Sequence, residues 1–344
     1  MDLQSKSLRV GAAVIACAVL LRLGSNGLFD KAVQAFSDPE TAALLFYLET
    51  GKVMRPAPAT QTPTTQPETT PATEQTTAPT QPQQDQPQQA AAVFAEADVD
   101  LVEVNSACGY DADLPALLQQ PLVWQLKQDA PTVLILHTHG TESYTKTEDY
   151  TESTAYRTLD EGYNVVSVGD RIARVLEAGG VKVIHDRTLH DHPSYSGSYN
   201  HARAAIESYI SENPSIQVVL DIHRDSVEDS SGKQMVFTTQ VQGQSAARLM
   251  MVVGTDASGL AHPNWPENMA FGVKLHARLE QLAPGICRPI SFRSQRFNQD
   301  LSPGALIVEV GSAGNTRQEA LLAAEVLAQA LLDMSAGATA DSTS

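Results

Sequence analysis

The chain is short of cysteine, of positive charge and of long apolar runs, and each shortage closes off a class of protein. Three cysteines are too few to staple a disulfide scaffold. Cys17 lies in an N-terminal apolar stretch. Cys108 and Cys287 lie in the main body, and their spacing leaves open whether they pair. Lys and Arg number 23 against 40 Asp and Glu, a net charge of −17. Phosphate backbones need a basic face, so this balance argues against nucleic acid as a partner. The N-terminal stretch "VGAAVIACAVLL" at 10–21 is short of the ~20 apolar residues that span a bilayer. Residues 55–92 have no large apolar side chain at all. Such a segment buries too little to offset its ordering entropy, so 55–94 is expected to be a disordered Pro/Thr/Gln-rich linker.

The ends of the chain follow from these runs. Lys6 and Arg9 precede the apolar stretch and Arg22 interrupts it. A signal-anchor over 1–29 is expected, lengthened if Arg22 snorkels to the interface. A lipoprotein signal ending at Cys17 and a cleaved signal peptide remain open. All three put the folded part outside the cytoplasm, and the signal-anchor makes the chain a single-pass protein of the cell membrane with an extracytoplasmic domain. Residues 30–54 read as a membrane-proximal amphipathic segment. The folded domain is expected over 95–334, followed by a disordered tail at 335–344.

Within 95–334, apolar runs alternate with helical patterns. Strands are expected at "TVLILH" (132–137), "VKVIHD" (181–186), "IQVVLDIH" (216–223), "QMVFTTQV" (234–241), "RLMMVVG" (248–254) and "GALIVEVG" (304–311). Helices are expected over 164–180, 200–214, 265–283 and 316–334, with Gly179, Gly180 and Pro214 as stop signals. That alternation predicts an α/β fold, a mainly parallel sheet flanked by helices. In such sheets the site lies beyond the carboxyl ends of the strands. There the sequence sets "HTHGTESY" (137–144), Asp221 with His223, and Glu309.

His139 and Glu142 stand three apart after the first strand, and His223 arrives from another strand end. Two imidazoles and a carboxylate form the ligand set of a catalytic zinc site. Glu309, among apolar neighbours, is then the candidate base. Two other readings stay open. Nine histidines make chance pairs common, and a strand-end histidine is often only solvated. His-x-His after a first strand also opens the metal-dependent amidohydrolase barrels, with His137 and His139 both ligands, although roughly 200 residues is tight for a barrel.

Longer motifs narrow the choice. "PTVLILHTHGTESY", "NVVSVGD", "DIHRDS", "VVGTD", "HPNWPENMAFGVKLHARL" and "QRFNQDLSPGALIVEVGSAGNT" together resemble the stage II sporulation protein P family. The resemblance implies a zinc amidase-like fold and a cell-wall hydrolase related to the zinc-dependent N-acetylmuramoyl-L-alanine amidases. It implies peptidoglycan as substrate, with endopeptidase action on cross-links as a second activity, and Zn2+ as cofactor. It also implies a partner, the lytic transglycosylase stage II sporulation protein D, and a role in engulfment. Carried over by motif, the metal ligands would be His139, Glu142 and His223, and the catalytic glutamate Glu309. His137 would be structural. In the wider amidases the ligand glutamate precedes the first long helix, where this chain has Glu161 in a poorly matching "EGYN". Arg224, Arg296 and Asn298 are candidate substrate-binding residues, with a buried salt bridge that holds the loop as the other reading for Arg224 and Arg296, and Asp225 is a candidate partner of the second histidine. Trp265 reads as a packing residue at a helix start. The other class of reading is a wall-binding or scaffold protein that keeps the fold without the reaction.

Overall fold

A computed structural model describes residues 94–126, 129–151 and 155–340, with side chains to 335. The expected anchor, amphipathic segment and linker lie outside the described residues, apart from Phe94 at the linker's end.

Seven strands form one sheet in the order β1 (Val104–Ser106), β8 (Ile290–Phe292), β7 (Leu249–Val253), β9 (Gly304–Ser312), β4 (Val218–Asp225), β2 (Val133–Leu136) and β3 (Val183–His185). Neighbours run parallel except β7 and β9, which are antiparallel. The α/β expectation therefore describes this sheet. β5 (Thr238–Val241) is not part of it. It pairs with β6 (Gln244–Ala247) as a separate hairpin. Positive φ at Gln242 (49°) and Gly243 (78°) gives that turn the twist two-residue hairpins favour. β1, β6, β8 and a short helix α1 (Leu114–Gln119) had no clear periodic signal, because such short elements span too little of a repeat.

β2 and the first half of β4 are buried on both faces, which explains their apolar runs. Val133, Ile135, Leu220, Ile222, Leu306 and Val308 face the larger core. That core is closed by α2 (Val166–Ala178), α4 (Trp265–Leu282) and α5 (Arg317–Ala340). Fully burying a side chain such as Leu220 or Ile222 contributes about 1.5–3 kcal/mol. Leu134, Leu136, Val219 and Ala305 face the other way, onto Ala202 and Ile206 of α3 (Ser198–Glu212). α5 runs on to Ala340, past the boundary expected at 334. Trp265 opens α4 and stacks on Tyr110 at 5.3 Å. Cys108 and Cys287 are free thiols. No helix among the described residues is long and apolar enough to cross a membrane.

α2 approaches the end of β2 through Gly169. A Cβ there would lie 2.5 Å from His185 Nε2 and 2.7 Å from His137 Nε2. Gly169→Val is therefore expected to lose about 1–3 kcal/mol through overpacking, read from urea unfolding. Wild-type stability in that variant would show that the helix is not seated against this histidine pair.

Candidate active site

Strand alternation puts Asp221 and His223 on the α3 face of β4, and parallel register sets His223 beside Glu309 of β9. β2 ends next to them, and the chain turns at Thr138–Glu142. α3 covers only the earlier part of these strands, so their carboxyl ends form the site.

His223 lies between two carboxylates. Its Nε2 is 2.9 Å from Asp221 Oδ1, out of line for a hydrogen bond, and its Nδ1 is 3.5 Å from Glu142 Oε2. Thr138 clamps Asp221 through its backbone N–H (2.8 Å) and hydroxyl (2.6 Å). Glu142 Oε2 accepts from the Arg224 amide at 3.2 Å, and its Oε1 lies 3.6 Å from Arg157 and 3.7 Å from Arg224. All four of Asp221, His223, Glu142 and Arg224 are buried. Burial works against charge on His223, yet Asp221 and Glu142 together raise its pKa well above the ordinary value. Burial would raise Asp221, but His223 and Thr138 bring it down to about 2. Burial would likewise raise Glu142, but Arg224 and His223 bring it down to about 2.

His139 meets His223 edge-on, with ring centroids 5.2 Å apart. Burial, then the charge of His223, lowers it to about 4. Glu309 is half-buried, but its Oε2 is shut from solvent and has no hydrogen-bond partner among the described residues. Burial, with Glu142 and Asp225 adding to it against the pull of His223, pushes it up to about 8.

The remaining candidates separate clearly. Glu161 lies on the surface and binds Arg187 at 2.7 Å. Arg224 turns inward and donates to the carbonyls of Ser143 (2.9 Å) and Tyr156 (2.8 Å). Arg296 is partly exposed, 3.5 Å from Asp300. Asn298 donates to the Tyr199 carbonyl at 2.8 Å. Asp225 pairs with Arg288 at 2.7 Å, not with His223. His137 is buried behind the site, its Nδ1 2.9 Å from the Ile222 carbonyl and its Nε2 2.8 Å from His185. Sequence reasoning gave no role to Asp221, Arg157, Tyr195, Ser198 or Tyr199. Asp221 had a signal, since a residue two before His223 on a strand shares its face. The others come from loops and a helix start, where no period operates.

Among the described residues, no three His, Cys, Asp or Glu side chains form a ready-made metal cage. Two of the three candidate donors are nonetheless spaced as a zinc ion would need. Two donors about 2.0–2.1 Å from one tetrahedral ion stand about 3.3 Å apart. The 3.5 Å between His223 Nδ1 and Glu142 Oε2 is close to that, and longer than a good hydrogen bond. Asp221 lies 2.9 Å from the opposite nitrogen, the side on which carboxylates back metal-ligating histidines, although the contact is out of line for a hydrogen bond.

The depressed pKa of Asp221 has a stability consequence. Its contribution is present above the unfolded pKa near 3.9 and is lost as pH falls toward about 2. With chelator present, wild type is expected to exceed Asp221→Asn in unfolding free energy by more at pH 5 than at pH 3. An equal gap at both pH values would contradict the depressed pKa.

A family model described as stage II sporulation protein P matches residues 36–332. Stage II sporulation protein P of Bacillus subtilis (strain 168) is 29% identical over 224 residues, 61% of this chain and 52% of that protein. The match thus spans about half the length of that relative. Among solved structures, the CwlD amidase from Clostridioides difficile, in complex with the GerS lipoprotein, aligns with TM-score 0.39 and 12% identity, covering 61% of this chain and 99% of its own. The N-acetylmuramoyl-L-alanine amidase AmiC2 of Nostoc punctiforme aligns with TM-score 0.36 and 16% identity, covering 59% and 96%. Structural likeness at that level carries no inference about the site. The family model spans most of the chain, and with it the strand-end motifs described above: this chain belongs to the stage II sporulation protein P family.

Proposed function

We propose that this chain is a membrane-anchored peptidoglycan hydrolase of sporulation that cleaves the N-acetylmuramoyl-L-alanine amide with zinc. The observation that carries the reading is the meeting of His139 and Glu142, from the turn after β2, with His223 of β4, and the Glu309 carboxyl beside His223 on the next strand. The family assignment and the name of the B. subtilis relative support the sporulation setting. Endopeptidase action on cross-links, a single-pass anchor at 1–29, reach through the 55–94 linker and partnership with stage II sporulation protein D belong to the same proposal.

His139, Glu142 and His223 would hold the ion. When bound, zinc supplies Lewis-acid chemistry, drawing electron density from a carbonyl and making water a better nucleophile. Asp221 holds the far side of the His223 ring, and Thr138 holds Asp221. The Arg224 amide keeps Glu142 turned toward His223. Glu309 is the general base. It accepts the proton of the attacking water at its carboxylate and passes it to the departing L-alanine nitrogen as the amide C–N bond breaks. In the metal-free site, burial holds this carboxyl protonated at neutral pH. A cation among the three neighbouring donors would lower its pKa into a range suited to shuttling. Arg296, on the loop leading into β9, is a partly exposed cation that would meet a peptide-stem carboxylate. Asn298 anchors that loop to the start of α3.

The full chain is expected to bind one zinc. His139→Ala and His223→Ala lose both the metal and the release of muropeptides. Glu142→Gln releases metal and Glu161→Gln does not; the reverse result would move the third ligand to Glu161. Glu309→Gln is expected to keep zinc near the wild-type level while kcat falls at least about a hundredfold. Loss of zinc in that variant would make Glu309 a ligand. A wild-type chain that carries zinc and releases no muropeptide would favour the scaffold reading.

A further inference from the structure

His139 differs from the other proposed ligands because its surroundings come from a loop and a helix start. Its ring stacks on Tyr195 at 4.5 Å, with 13° between the planes, and meets Tyr199 edge-on at 5.5 Å. Both ring nitrogens face hydroxyls. Ser198 Oγ is 3.3 Å from Nδ1, and the Tyr195 hydroxyl is 3.1 Å from Nε2. A neutral imidazole has one N–H and one lone pair, so one hydroxyl accepts from it and the other donates to it.

The two hydroxyls are placed differently. Ser198 is 3% exposed and is the first residue of α3. Its own amide donates to the Tyr195 carbonyl at 3.3 Å. Tyr195 is 58% exposed and precedes the helix. Its hydroxyl has no second partner among the described residues. Gly197, at φ 87°, makes the left-handed turn that brings both hydroxyls to one ring. Arg157 lies 4.9 Å over the Tyr195 ring and is itself fixed to Asp191 at 2.6 Å, so the ring keeps a contact that does not need its hydroxyl.

A metal-ligating histidine is normally held through its other nitrogen by a fixed partner, which sets tautomer and ring orientation. Its ligating nitrogen must be reachable from the open side. Buried Ser198 meets the first condition, and the nitrogen under exposed Tyr195 meets the second. We infer that Ser198 and Tyr195 divide the nitrogens of His139 between them: Ser198 is a positioning residue that holds Nδ1, and Tyr195 is a movable cap over Nε2, the nitrogen left for the metal. The inference rests on the zinc reading given above. The cap leaves when an ion enters, and Ser198 keeps the ring from turning with it.

The test is the zinc affinity of the full chain, by competition with a chromophoric chelator. Ser198→Ala is expected to weaken zinc binding about 10- to 100-fold, and Ser198→Thr, which keeps a hydroxyl, to restore most of it. Tyr195→Phe keeps the stacked ring and removes the competing hydroxyl. It is expected to tighten zinc binding about 2- to 10-fold, the worth of one neutral hydrogen bond. Reversed signs, or wild-type affinity in Ser198→Ala, overturn the inference. Should Ser198→Ala fail to fold, Tyr195→Phe decides alone, and unchanged or weaker binding overturns it. A wild-type chain that binds no zinc overturns the metal reading and this inference with it. A wild-type chain that binds zinc, with no change in either variant, overturns the inference alone.

Discussion

Two carboxylates out of water flank a single imidazole, and the rest of the strand ends is arranged to keep them there. Asp221 and Glu142 are both buried, on opposite sides of His223. An unpaired buried carboxylate costs several kcal/mol, so the set holds together only if positive charge sits between. The His223 proton supplies it here, helped by the amide and guanidinium of Arg224. On the proposed zinc reading, a divalent cation would compete for the same groups as that proton, so that binding one would release the other.

The sheet makes this possible through unequal cover. Three helices close the larger core, so the residues of β2, β4 and β9 on that face are apolar as far as Ile135, Ile222 and Val310. α3 packs the other face and, on β4 and β9, reaches only the earlier part, at Val219 and Ala305. Past Val219 and Ala305, that face offers Asp221, His223 and Glu309. The hydrophobic pattern stops where the helix stops, and polar chemistry begins there.

Glu142 and Glu309 share one chemistry and are driven apart by their settings. Glu142 has two guanidinium groups, a backbone amide and His223 around it, and ionises readily. Glu309 has apolar neighbours along β9 and an oxygen without a partner, and holds its proton. Opposite shifts in neighbouring carboxyls are the pattern by which sites divide a ligand or stabiliser from an acid–base group.

The order of strands and helices was legible along the chain, because burial imprints a period on it. "TVLIL" and "GALIV" are apolar throughout since both faces are covered, and α2 and α4 repeat at helical spacing. The apolar runs placed His139 just past one strand and His223 and Glu309 toward the ends of two others, and the long motifs carried the family. Tertiary structure alone decided which groups meet. It set Glu142 3.5 Å from His223 and gave Glu161 to Arg187, though both follow the first strand in sequence. It detached β5 from the sheet and turned Arg224 inward. It also brought Ser198 and Tyr195, some sixty residues on, to the two nitrogens of His139. A local period reports how deeply a residue is buried. It says nothing of which loop lands beside which, because that depends on the crossovers between distant strands.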